Sequence, residues 1–126
     1  MQRTIECEIE EVLKDVFTAF GKNLKYEKDR IRTYCKYLLR NYETFDFRHF
    51  EEVCDVLILT RNFLPTVNEI IDCYDFLLWC KEDGRNKKER VSCYRDYISK
   101  EESDIKTKYG WFKRYGGFSV GDDIIV

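Results

Sequence analysis

Between residues 61 and 84, RNFLPTVNEIIDCYDFLLWCKEDG, apolar positions crowd the helical wheel. At about 100° per residue, Val67, Ile70, Ile71, Cys73, Tyr74, Phe76, Leu77, Leu78 and Cys80 cover roughly 220° of the circumference. An ordinary surface helix buries a narrower stripe, so this pattern predicts one continuous helix over residues 66–83, packed from two sides. Asn68, Asp72 and Asp75 mark the remaining polar strip, and Trp79 falls on it. The ends are signalled as well. Pro65 disfavours helix in the residue before it, and Thr66 with Glu69 has capping-box spacing. Gly84 follows where a left-handed terminating residue would sit.

The same period runs through the flanking segments. Ile5, Ile9, Val12, Leu13, Val16, Phe17 and Phe20 predict a helix over 4–20 that ends before Gly21. Its outer face is acidic, with Glu6, Glu8, Glu10, Glu11 and Asp15, as an ordinary solvated face can be. Residues 26–42 carry Ile31, Tyr34, Cys35, Leu38, Leu39 and Tyr42 on one stripe, while Lys28, Arg30, Arg32, Lys36 and Arg40 make the outside basic. Asp46 is the expected N-cap of a third helix whose buried stripe is Phe47, Phe50, Val53, Cys54, Leu57 and Ile58. His49 lies off that stripe and reads as a surface or rim residue with no role. Asn86 and Glu89 repeat the capping-box spacing ahead of a fifth helix over 87–101 bearing Val91, Tyr94, Tyr97 and Ile98.

From Ser103 the pattern is a short capped helical piece with Ile105, Tyr109 and Phe112, then YGWFKRYGGFSVGDDIIV, where four of the six glycines sit among aromatic residues. Glycine at that density disfavours a long helix, yet the segment is too aromatic for an inert linker. It is expected to dock, either on its own core or on a partner. The expected fold is therefore all-α: a single bundle of five to six helices over 1–103, followed by a helical turn and an aromatic, glycine-containing tail over 104–126.

Composition narrows the functional classes. The chain has 126 residues, 44% of them hydrophobic, enough for one core and too few for two ordinary domains. A formal net charge of −2 lacks the bulk basic excess of a constitutive nucleic-acid coat. Charge is uneven, however: residues 81–114 hold eleven basic and seven acidic side chains. Within that stretch Arg85, Lys87, Lys88, Arg90 and Arg95 are candidate phosphate contacts of a DNA-binding module. Six cysteines, at 7, 35, 54, 73, 80 and 93, include no Cys-x-x-Cys pair. All but Cys7 stand beside apolar helix positions, where a free thiol behaves as a small hydrophobe. The N-terminus has no secretory pattern and no apolar run reaches membrane-spanning length, so a reducing cytoplasm is the expected setting.

Catalytic signals are missing. Asp72 with Asp75 and Glu51 with Asp55 are spaced as solvated helix faces commonly space their charges, and the lone histidine has no ligand or base partner in sequence. No Gly-x-Ser-x-Gly turn or phosphate loop is present. The expectation is a non-enzymatic protein with no metal and no cofactor. Its binding surface is placed at Trp79, which the wheel turns outward, and at the aromatic tail, because Trp and Tyr concentrate binding energy at interfaces.

The string NFLPTVNEIIDCYDFLLWCKE, preceded by LILTRN and followed by a basic capped helix, resembles phage replication proteins that load or inhibit the replicative helicase. Those proteins carry a small helical domain with a phrase of the type aromatic, apolar, Pro, Ser/Thr/Pro, then an acidic or amide residue before an apolar helix. The matching positions are Phe63, Leu64, Pro65, Thr66, Glu69, Ile70 and Ile71, and the likeness covers residues 47–82. It also extends to chain length and to a distinctive C-terminal segment. In such proteins that segment commonly engages the helicase, which would place Trp111, Phe112, Tyr115 and Phe118 at the contact. The family's tails are often polar, whereas this one is aromatic. The resemblance implies an adaptor that binds a replicative helicase or its loader and regulates loading on DNA. The alternatives are a viral or mobile-element protein that binds a host signalling or defence protein, and the DNA-binding module named above.

Overall fold

Side-chain caps fix where most of the helices begin. Thr4 accepts from the Cys7 backbone N–H at 3.2 Å and opens α1 (Ile5–Ala19). A 3₁₀ turn (Leu24–Tyr26) leads into α2 (Lys28–Asn41). Asp46 accepts from His49 N–H at 3.0 Å at the start of α3 (Phe47–Thr60). Thr66 and Glu69 satisfy each other's backbone N–H at 2.9 and 3.2 Å ahead of α4 (Val67–Glu82). Asn86 and Glu89 do the same, at 3.1 and 2.9 Å, for α5 (Lys87–Ile98). Ser103 caps α6 (Asp104–Trp111), which a π-type turn (Phe112–Gly116) continues. The computed structural model describes residues 4–116, and among them there is no strand. The all-helical bundle is as expected.

Two glycines stop helices in the same way. Gly21 has φ +79° and Gly84 φ +76°, the left-handed region in which a side chain is strained. At the first, Lys22 N–H reaches Phe17 O at 3.0 Å and Gly21 N–H reaches Thr18 O at 2.9 Å; at the second, Arg85 N–H reaches Cys80 O at 3.1 Å and Gly84 N–H reaches Lys81 O at 3.0 Å. Both are Schellman motifs that satisfy the last carbonyls of α1 and α4.

The chain divides into two units between Tyr74 and Asp75, within α4. In the first, α1 packs on α2 and α3. Its core is Ile9, Leu13, Val16 and Phe17 with Ile31, Leu38, Phe50, Val53, Val56 and Leu57, all buried. Phe17 meets Tyr34 edge-on at 5.3 Å, and Tyr34 donates its hydroxyl to Pro65 O at 2.9 Å, which ties α2 to the loop before α4. Tyr42 likewise donates to Ile71 O at 3.3 Å, and the Tyr74 hydroxyl accepts from Asp46 N–H at 3.0 Å.

Two sequence expectations for α3 are corrected here. His49 is a core residue, 1% exposed, with Nε2 2.9 Å from Tyr74 O and its ring edge-on to the Tyr74 ring at 4.5 Å. A carbonyl can only accept, so Nε2 carries the proton. Val56 is buried while Ile58 is exposed, the reverse of the expected stripe. Both corrections have one cause: the arc that α3 buries is turned toward the Tyr74 side, which takes in His49 and Val56 and leaves Ile58 outside.

The second unit holds residues 75–82 of α4 with α5 and α6, and its core is aromatic. Phe76 stacks on Tyr97 at 4.5 Å and meets Tyr109 edge-on at 4.9 Å, and Tyr97 meets Tyr109 at 5.2 Å and 90°. Leu77, Cys80, Tyr94 and Ile105 complete it, all buried. The wide apolar arc of α4 is accordingly covered: every residue from Ile70 to Cys80 is buried or half-buried.

Candidate functional site

The residues that the sequence nominates for a partner fall into three groups. Trp79 is half-buried, contrary to its expected outward projection. Tyr109 lies 5.3 Å and Phe112 6.1 Å from its ring, and Phe76 5.7 Å, so α6 and the turn after it cover Trp79 within its own unit. Phe112 is half-buried by the same packing. Trp111, its neighbour, is 52% exposed. The side chain of Tyr115 and the whole of Phe118 lie outside the described residues. Ile105 and Tyr109 anchor α6, and that anchoring holds Trp111 on the same helix with about half of the residue's surface in solvent.

The basic segment does not converge on one surface. Arg85 pairs with Asp83 at 3.0 Å, and Arg90 donates to the Arg85 carbonyl, so both are engaged locally and half-buried. Lys87, Lys88 and Arg95 are exposed. Lys88 and Arg95, seven residues apart, share one face of α5, and Lys87 points about 100° away. Glu89 and Asp96 interrupt the cations along the helix.

One apolar patch escaped the sequence reading. Phe63 is 83% exposed, and Leu59 and Ile58 are exposed beside it in sequence at the end of α3. The available signal was the run LIL followed within five residues by a phenylalanine in a loop, too many apolar groups for one stripe to bury. The basic outside of α2 is exposed at Lys28, Arg32, Lys36 and Arg40, and three open depressions are lined in part by these residues.

Five of the six thiols are buried and Cys7 is exposed, and none is joined in a disulfide among the described residues. Burial, with Glu10 and Glu6 nearby, pushes Cys35 up to about 11. Burial, with Cys93 beside it, pushes Cys80 up to about 12. Cys54 and Cys93 are raised as well, again chiefly by burial. Thiols held protonated in this way are poor nucleophiles and poor ligands. Among the described residues no three His, Cys, Asp or Glu side chains are grouped to hold a metal ion, and no helix is long and apolar enough to cross a membrane. Comparison with protein-family models, with curated proteins and with solved structures finds no match to this chain.

Proposed function

We propose that this chain is a non-enzymatic adaptor that binds a replication protein, a replicative helicase or its loader, and regulates helicase loading on DNA. The observation that carries the binding role is Trp111: about half its surface is in solvent although the helix bearing it is anchored by buried Ile105 and Tyr109. Tryptophan is among the residues most enriched at binding hot spots, and presenting it on an ordered helix lowers the entropy lost on association. Phe112, half-buried beside it, extends the same apolar surface. The identity of the partner is supported by the resemblance over residues 47–82, in which Phe63 is also exposed.

The test is capture from host lysate on immobilised protein, read by mass spectrometry, with Trp111→Ala run in parallel. The expected result is recovery of the replicative helicase or its loader by the parent chain and its loss from the variant. Enrichment of a signalling or defence protein would replace the replication reading with a host-directed one. Equal capture by both chains would remove Trp111 from the contact.

A further inference from the structure

We infer that the exposed ridge of α2 is a binding site for single-stranded nucleic acid, a role that goes beyond the protein-binding function proposed above and does not depend on it. Lys28, Arg32, Lys36 and Arg40 follow one another at four-residue steps. Each step advances about 6 Å along the helix and turns by about 40°, so the four cations form a diagonal ladder across the solvent face. That spacing is on the scale at which an extended sugar–phosphate strand repeats its charges. All four are exposed, and no ion pair engages Lys28, Arg32 or Lys36 among the described residues.

The surface relief follows the ladder. One depression of about 390 Å³ includes Lys28 and Arg32, the next, about 380 Å³, includes Arg32, Lys36 and Arg40, and a third, about 360 Å³, includes Arg40 and Tyr37. Arg32 lines the first two and Arg40 the second and third, so these two cations stand where neighbouring depressions adjoin. Lys25 adds positive charge at the first depression, where Lys14 is paired with Glu11 at 3.2 Å, and Glu6 and Glu10 of α1 are the carboxylates among the lining residues. Apart from the Lys14–Glu11 pair, five cations stand against two carboxylates in a protein whose net charge is negative.

Aromatic rings flank the ladder. Tyr26, in the turn before α2, is 76% exposed with the Lys25 ammonium 5.8 Å from its ring centre. Tyr37 is 48% exposed with the Arg40 guanidinium at 5.8 Å. A basic track with exposed aromatic rings is how proteins hold single strands: cations follow the backbone and rings stack on bases without reading sequence. An acidic peptide would also meet the cations, but it would leave the two tyrosines unexplained, and a duplex would keep its bases from them.

The experiment is fluorescence anisotropy of a fluorescein-labelled oligothymidylate of about 12–16 nucleotides titrated with the full chain over a range of salt. Four phosphate contacts predict a log–log salt slope of about −3. Arg32→Glu combined with Lys36→Glu, both exposed positions, should weaken binding by about tenfold or more and flatten the slope by about 1.4, with the helical circular dichroism unchanged. Tyr37→Ala should weaken binding about fivefold while leaving the slope as it was, the mark of a stacking contact. The inference is overturned by no binding at low salt, or by an Arg32/Lys36 variant that binds like the parent. It is equally overturned if Lys87→Glu with Lys88→Glu abolishes binding while the ridge variant does not, or if polyglutamate displaces the labelled strand as well as unlabelled oligonucleotide does.

Discussion

His49 shows how a residue without a sequence signal can hold a core together. Its Nε2–H answers the Tyr74 carbonyl, and its ring packs against the Tyr74 ring, whose hydroxyl in turn accepts from Asp46 at the start of α3. Replacing it with alanine removes a buried ring and leaves a polar group less well satisfied. His49→Ala should therefore cost about 2–4 kcal/mol in urea unfolding. A loss under about half a kcal/mol, the range of surface substitutions, would return His49 to the rim where the sequence placed it. The thiols make a second statement at this scale. In the unfolded chain they ionise near 9, whereas the fold holds Cys35 and Cys80 protonated to about 11 and about 12. The folded state keeps protons that the unfolded state releases, so this contribution is complete below pH 9 and is lost as the pH rises through 11 to 12. Tyr34, also raised by burial, acts in the same direction. The urea midpoint should be level up to about pH 8.5 and fall above 9, and iodoacetamide at neutral pH should modify Cys7 while sparing the five buried cysteines until urea is added. A midpoint that rises above pH 9, or several thiols modified in the native protein, would contradict the burial.

At the scale of elements, punctuation was more legible than exposure. Thr66 with Glu69, Asn86 with Glu89, Asp46, Ser103 and the two glycines all sit where local chemistry predicts, because a cap involves only its own few residues. The helix expected over 26–42 begins at Lys28, Tyr26 belonging to the 3₁₀ segment, and the one expected over 87–101 stops at Ile98. Which side of a helix is covered depends on neighbours distant in sequence. Periodicity therefore placed Ile58 inside and His49 outside, and placed Trp79 in solvent although Tyr109, thirty residues on, lies against it. The wide arc of α4 was the exception, since nine apolar positions on one helix demand cover whatever supplies it. Leu77, fully buried, tests that reading. Leu77→Ala should cost about 2–5 kcal/mol, the range for an emptied core position. A change under about half a kcal/mol would make α4 peripheral.

For the molecule as a whole, the candidate surface was legible in part. Trp111 was nominated by composition and is exposed; Phe112 is shared between core and surface; Tyr115's side chain and Phe118 lie outside the described residues. Phe63 and the ladder on α2 were visible as residue types, but they became surfaces only once exposure and helical phase were known together. The burial of Tyr109 also changes which experiment is informative. Deleting residues 108–126, the obvious cut from sequence, would take Tyr109 out of the core and destabilise the second unit whatever the tail does. A single substitution at Trp111 leaves that core in place. The direct test is to measure thermal melting and lysate capture side by side for the parent and Trp111→Ala. An adaptor that works through this indole should melt within a degree or two of the parent, as surface substitutions usually do, and lose its replication partner. A variant that melts several degrees lower yet retains the partner would make Trp111 part of the fold and place the binding surface elsewhere.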